Sequence, residues 1–249
     1  MRTIAVIARK GGSGKTTVAV HLAIAAHLAG RRVVIADTDP QQSSLEVFRH
    51  RRGSGPEAVA STPQGLVGVQ FRAKAAGADV LIIDTPAGTE EGMSNAIVLA
   101  DMSLLVIRPT FLDLAAAVYT TDVLRRLRKL SLVVLNQAPV ARDGVEPPPV
   151  RRALQALKVM RQAVTPVILR ARASYQTTIA SGRSAVETAP TGPAARELAE
   201  LWAFVERFAL SSRQSASPPP RPAPEPEPDP DPETHMPRTA ASFAPVAQH

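Results

Sequence analysis

The segment Arg9-Lys10-Gly11-Gly12-Ser13-Gly14-Lys15-Thr16-Thr17 constrains this chain more than any other. It follows a short apolar run, residues 4–8, and opens a helix-like stretch, 15–29, that stops at Gly30. Glycines let backbone N–H groups turn toward an anion with no β-carbon in the way. The first turn of the helix adds a favourable partial charge for that anion. Lys15 can then reach the β- and γ-phosphates of a nucleotide, and the Thr16 hydroxyl can ligate Mg²⁺, a hard cation that prefers oxygen. A strand, a glycine loop and a helix in that order place such a loop at the edge of a sheet in an α/β protein.

The rest of the chain fits that frame. Apolar runs recur at 32–36, 80–83, 104–107, 132–135 and 164–169, with helical patterns near 65–77, 90–99, 112–129 and 149–162 between them. Near-continuous apolar runs of four to six residues indicate strands buried on both faces, hence a mainly parallel sheet. Alternation with helices predicts a doubly wound α/β fold with helices on both faces. A final helix over 193–209 places Leu198, Leu201, Trp202, Val205 and Phe208 at helical spacing, while Glu197, Glu200, Glu206 and Arg207 mark its polar side. That polar side is not the basic one membrane-surface helices use, so the helix is expected to dock on the core.

Composition changes near Ser211. Residues 218–232 run Pro-Pro-Pro-Arg-Pro-Ala-Pro-Glu-Pro-Glu-Pro-Asp-Pro-Asp-Pro, which cannot be helix or inner strand because proline fixes φ and lacks an N–H. The division expected is a globular domain, 1–211, and an acidic, disordered tail, 212–249, extended as polyproline II in its proline stretch. Residues 1–213 carry 27 lysines and arginines against 17 acids, a net +10, whereas 214–249 carry 2 against 5, a net −3. A basic body suggests a polyanionic partner; an Arg-, Ala- and Pro-rich composition with solvated basic faces is the other reading. The absence of cysteine excludes disulfides, thiolate zinc sites and cysteine-held iron–sulfur clusters. No apolar run approaches the ~20 residues that span a bilayer, and the N-terminus lacks a signal-peptide cleavage site, so a cytoplasmic chain is expected.

The loop departs from the usual Walker A pattern: Arg9 stands where a glycine is expected, and Lys10 directly precedes Gly11-Gly12. Two lysines in one short loop would repel each other unless both face a triphosphate. In this respect Lys10–Thr17 resembles the deviant Walker A box of the ParA/MinD ATPases. Asp37-Thr38-Asp39-Pro40-Gln41-Gln42-Ser43 resembles their second box, and Asp79-Val80-Leu81-Ile82-Ile83-Asp84-Thr85-Pro86 their Walker B strand. The resemblance covers about 1–210. Because the loop starts at residue 10, it points to the short ParA type, without a helix-turn-helix domain.

The resemblance implies a P-loop NTPase using ATP and Mg²⁺. Lys10, Gly11, Gly12, Ser13, Gly14, Lys15, Thr16 and Thr17 would cradle the phosphates. Lys10 would be the signature lysine, reaching the nucleotide of a partner copy in an ATP-bound homodimer. Asp39 would position the attacking water and, with Thr16 and Asp84, stand at the Mg²⁺ site. Either aspartate could instead be a turn or N-cap residue. Asn136, after the run 132–135, is similar in position to the adenine-reading residue, a turn-forming asparagine being the rival; Asp37 is expected to be structural or to support the site's ligands from behind. For the ParA branch the resemblance further implies nonspecific DNA binding, localisation on the nucleoid, a slow basal rate and a ParB-like or cargo-adaptor protein that stimulates hydrolysis. Candidate phosphate contacts are Arg125, Arg126, Arg128 and Lys129, then Arg151, Arg152, Lys158 and Arg161, then Arg170, Arg172 and Arg183; Arg49, Arg51 and Arg52 could simply flank a loop. A MinD-like membrane ATPase, for which the acidic end is the wrong chemistry, and a P-loop kinase or synthetase with a small substrate are the alternatives.

Overall fold

The computed structural model describes residues 1–88 and 90–211; the tail expected from 212 onward lies outside the described residues. The strands are β1 (Arg2–Ile7), β2 (Val33–Asp37), β3 (Glu57–Ala60), β4 (Val80–Asp84), β5 (Met102–Ile107) and β6 (Ser131–Leu135). The helices are α1 (Lys15–Leu28), α2 (Ser43–Arg49), α3 (Leu66–Ala75), α4 (Glu90–Leu99), α5 (Phe111–Arg126), α6 (Pro148–Val159), α7 (Ala173–Ile179), α8 (Ala185–Thr188) and α9 (Pro193–Ser211). The strands form one sheet in the order β3-β2-β4-β1-β5-β6, every pair parallel. All strand C-termini therefore lie along one edge, where β1 delivers the glycine loop and β2 and β4 deliver Asp37 and Asp84, which are register partners.

The apolar runs are continuous because each strand feeds two cores. In β1, Ile4 and Val6 join the core beneath α1 and α9, while Ala5 and Ile7 join the one beneath α3, α4, α5 and α6. β4 divides the same way, Val80 and Ile82 to one side and Leu81 and Ile83 to the other. This is the both-faces burial that the sequence predicts. α9 docks as expected, with Leu198, Leu201, Trp202 and Val205 buried in the first core.

Two expectations need correction. Residues 164–169 are not a sixth strand. They run beside β6, with Thr165 N–H donating to Val133 O and Leu169 N–H to Leu135 O, but only isolated bridges form at Val164 and Arg170. Pro166 has no N–H for the ladder, and the Thr165 hydroxyl folds back onto Val167 O at 2.8 Å, so the pairing breaks in the middle. The sixth strand is instead β3, a four-residue edge strand on β2 whose residues are exposed or half-buried and whose apolar stretch, Ala58-Val59-Ala60, is only three residues long.

His21 ties α1 to the segment carrying α7 and α8. Its Nε2 lies 2.9 Å from Tyr175 O and its Nδ1 2.9 Å from Ser184 Oγ. A carbonyl only accepts, so Nε2 carries the proton and the Ser184 hydroxyl donates to Nδ1. Ser184 also caps α8 in a capping box with Glu187, and Glu187 pairs with Arg51 at 2.8 Å. Burial lowers the His21 pKa from 6.5 to about 4, against opposing pulls from the Tyr175 carbonyl and Glu187. The unfolded chain thus takes up this proton first, and the stability the neutral imidazole contributes above pH 6.5 is lost as pH falls toward 4. Unfolding free energies from denaturant titrations across that window should fall, by on the order of 3 kcal/mol at most. The slope should flatten in His21→Gln; an unchanged slope would place the acid sensitivity elsewhere.

Candidate functional site

The glycine loop connects β1 to α1, and Gly14 is the N-cap of that helix at φ 90°, with no side chain capping it and no acid in its first turn. The first amides of α1 are thus left for an external acceptor. A β-carbon at Gly14 would collide with the Asn136 amide nitrogen. That nitrogen donates to Ser13 O at 2.8 Å, and the neighbouring Gln137 Nε2 donates to Gly12 O at 3.1 Å. The residues that follow β6 therefore hold the loop through its carbonyls at Ser13 and Gly12.

Lys15, Asp39 and Asp84 are brought together. Lys15 is 7% exposed; burial lowers its pKa, while the carboxylates of Asp84 and Asp39 oppose that shift. Asp84 is fully buried, and neither of its oxygens has a hydrogen-bond partner. Burial, reinforced by Asp37, pushes its pKa up to about 7 against the pull of Thr16, Lys15 and Ser44, whose polar groups lie close without completing a hydrogen bond to it. The Ser13 hydroxyl is likewise buried without a partner. A carboxylate, an ammonium and hydroxyls thus converge with capacity in reserve, as a cation-bearing polyphosphate requires.

Asp37 is structural. Its oxygens accept from Asp39 N–H at 3.0 Å, the Ser44 hydroxyl at 2.8 Å and Leu45 N–H at 3.0 Å, fixing the turn that presents Asp39. Asp39 is half-buried and accepts from Gln41 N–H. Asn136 and Thr17 also line a cavity of about 280 Å³ bounded by Gln137 and residues 170–173, 175 and 176, next to the start of α1.

Lys10 is the residue whose setting the sequence does not foretell. Its Nζ lies 3.3 Å from Asp113 Oδ2, and Asp113 is 1% exposed. Arg108 meets the same carboxylate through Nε and Nη2 at 3.1 Å each, and the Thr110 hydroxyl donates to it at 2.6 Å. Burial alone would raise the Asp113 pKa, but these donors outweigh it and hold the carboxyl ionised. Beside it the Arg9 guanidinium stacks 3.9 Å above the Tyr119 ring. Thr110 and Asp113 have the spacing of a helix cap, a signal visible in the sequence; nothing there couples them to residue 10.

The basic clusters separate into two kinds. Arg125 and Arg126 pair with Asp122, Arg170 with Glu146, Arg172 with Glu197, and Lys129 donates to the carbonyls of Val98 and Ala100. Arg128, Arg152, Lys158 and Arg161 are exposed and without an ion pair among the described residues. Among the described residues no cluster of histidines or acids could hold a metal by itself, and no helix is long and apolar enough to cross a membrane.

Residues 4–163 match the CobQ/CobB/MinD/ParA nucleotide-binding domain. Maintenance of carboxysome distribution protein A of Gloeobacter kilaueensis is 31% identical over 167 residues, 66% of this chain and 73% of the relative. An uncharacterized ATP-binding protein of Methanocaldococcus jannaschii is 29% identical over 156 residues; the match spans 50% of this chain and 59% of that one. Three solved structures share the fold. MinD of Pyrococcus furiosus aligns with a TM-score of 0.68 at 23% identity over 83% of this chain and 99% of its own. MinD of Pyrococcus horikoshii with Mg-ADP aligns at 0.67, 22% identity and 84% against 97% coverage. A singly substituted form of Cyanothece McdA in complex with ATP aligns at 0.62, 18% identity and 85% against 96% coverage. With the matched domain spanning most of the sheet and all three sequence boxes, the chain belongs to the CobQ/CobB/MinD/ParA nucleotide-binding family.

Proposed function

We propose that this chain is a ParA-like ATPase that dimerises on Mg·ATP, binds DNA nonspecifically and positions a cargo until a partner protein stimulates hydrolysis. The observation that carries the reading is the unpartnered buried carboxylate of Asp84 facing Lys15 at the end of an uncapped glycine loop. These residues fit the group they would hold: the uncapped amides and Lys15 suit phosphate oxygens, and the Thr16 hydroxyl and Asp84 suit a divalent cation. Bound Mg²⁺ supplies the positive charge that Asp84 lacks and polarises the phosphates. Lys15 would hold the β- and γ-phosphate charge. Asp39, at the mouth of the site, would orient the attacking water and stand close to the metal. The cavity lined by Thr17, Asn136 and Gln137 has the place and size for base and ribose. The names of two relatives, an uncharacterized ATP-binding protein and a carboxysome distribution protein, support a nucleotide-driven positioning role.

Lys10 would act in the partner copy, neutralising phosphate charge across the dimer only when nucleotide is present. In the single chain it sits on Asp113, so that role requires it to leave this contact. For DNA, Arg128, Arg151, Arg152, Lys158 and Arg161, exposed cations without a carboxylate partner, are the candidates; Arg170 and Arg172 are engaged by carboxylates.

Fluorescence anisotropy with a random-sequence duplex should show tighter binding in Mg·ATP than in Mg·ADP, weakening by about 10²-fold or more between 50 and 200 mM salt, and lost in Lys10→Ala. Equal, weak binding in both nucleotides would remove DNA from the mechanism and leave a membrane or small-substrate role. Arg152→Ala with Lys158→Ala should weaken DNA binding and flatten the salt slope with nucleotide affinity unchanged; an unaltered slope would move the interface elsewhere. At pH 7 and without metal or nucleotide, Asp84→Asn should raise the melting temperature, by about 2–4 °C for each kcal/mol of relieved burial. The sign follows from the raised pKa: the carboxyl is favoured protonated in the fold, so its ionisation subtracts stability as pH rises from about 4 to about 7, and the gain should shrink on acidification. The same variant should lose the stabilisation by Mg·ATP; a variant that retains it would remove Asp84 from the metal site.

A further inference from the structure

Arg108 directly follows β5, on the sheet edge that carries the glycine loop, and the proposed function gives it no part. Its guanidinium is fixed from one side. Nε and Nη2 donate to the Asp113 carboxylate at 3.1 Å each, and the Arg108 main-chain N–H donates to the same group at 3.3 Å. The third nitrogen, Nη1, has no hydrogen-bond partner among the described residues and stays open to solvent, in a side chain that is 27% exposed. It lies beside the loop: a β-carbon on Gly12 would stand 3.8 Å from it. Charge at this end of the loop is unbalanced. Asp113 is one carboxylate between two cations, Arg108 and Lys10, and the neighbouring Arg9 rests on the Tyr119 ring and forms no ion pair among the described residues.

A two-pronged pairing with a buried carboxylate holds a guanidinium in one orientation, so little side-chain freedom is left to lose when its remaining nitrogen takes a ligand. That nitrogen can only donate, and the surplus positive charge around it favours an anionic oxygen. The base cavity opens at Thr17 and Asn136 and is not lined by Arg108. Arg108 stands instead by Gly12, toward the Lys10 end of the loop, where the far end of a phosphate chain would lie. We propose that Arg108 Nη1 donates to a terminal phosphate oxygen of the nucleotide held on its own loop, with Asp113 as the anchor that keeps the guanidinium in place when Lys10 leaves. The inference rests on the nucleotide reading of that loop. It adds a cation supplied within the chain to the one that Lys10 would offer a partner copy. A lysine at 108 would not serve, because a single ammonium cannot hold Asp113 and reach a phosphate at once.

The test is binding of mant-ATP and mant-ADP, with Mg²⁺, to the full chain and to its Lys10→Ala form, in which the cross-dimer lysine is absent. Adding Arg108→Gln to either should weaken ATP by about 10-fold or more and ADP by no more than about 2-fold. Arg108→Lys, which keeps a cation beside Asp113, should show the same selective loss and serves if Arg108→Gln does not fold. An arginine that only braces Asp113 would, once removed, weaken both nucleotides alike or neither; either result overturns the proposal. So does full ATP affinity in Arg108→Lys, or an effect seen only with Lys10 present, which would put the contact across the dimer. A wild type that binds neither nucleotide ends the nucleotide reading and this proposal together. A wild type that binds ATP, with the ATP-to-ADP ratio unchanged in Arg108→Gln, ends this proposal alone.

Discussion

Gly14 adopts φ 90° with the Asn136 amide packed where its β-carbon would be, and the site depends on that close approach. Because residue 14 has no side chain, the end of β6 can reach across the loop and donate to its carbonyls at Ser13 and Gly12. With those carbonyls engaged, Lys15 lies close to the carboxylates of Asp84 and Asp39. The parallel order of β2, β4 and β1 then brings the second box and the Walker B strand to the same edge. A substituent at one position would disturb the loop, its brace and the approach of Lys15 to the carboxylates together.

The two aspartates that end neighbouring strands show how environment divides similar residues. Asp37 and Asp84 are register partners, yet Asp37 is satisfied by two amides and a hydroxyl, and Asp84 by none. One carboxylate shapes a turn. The other stays an unsatisfied buried acid that only a cation or a proton can settle.

Much of this is legible in the sequence. The loop, both strand-end aspartates and five of the six strands follow from glycine placement and apolar runs, because strands buried on both faces leave a continuous signature. The edge strand Glu57–Ala60 is not legible: it is only partly buried, and its apolar stretch of three residues, two of them alanine, is too short to mark a strand. The run 164–169 misleads for the converse reason, being apolar enough for a strand while Pro166 denies it the ladder. Within the site, the hold of Asp113 on Lys10 spans 103 residues of chain and joins groups on separate elements, which no local pattern encodes. Nor could spacing separate the arginines whose carboxylate partners are distant, such as Arg170 with Glu146, from those facing solvent.

The contact between Lys10 and Asp113 has an asymmetry that matters for how the loop can move. Lys10 has one acidic partner, whereas Asp113 has three further sources of support in the Arg108 guanidinium, the Arg108 amide and the Thr110 hydroxyl. Departure of the lysine therefore leaves no stranded buried charge behind. The acceptor half keeps its geometry, so the lysine can return to a berth that has not collapsed. A Lys10 drawn away by a polyanion would give up a single ion pair, in which the lysine is one-third exposed and the acid buried, and would leave that acid still partnered.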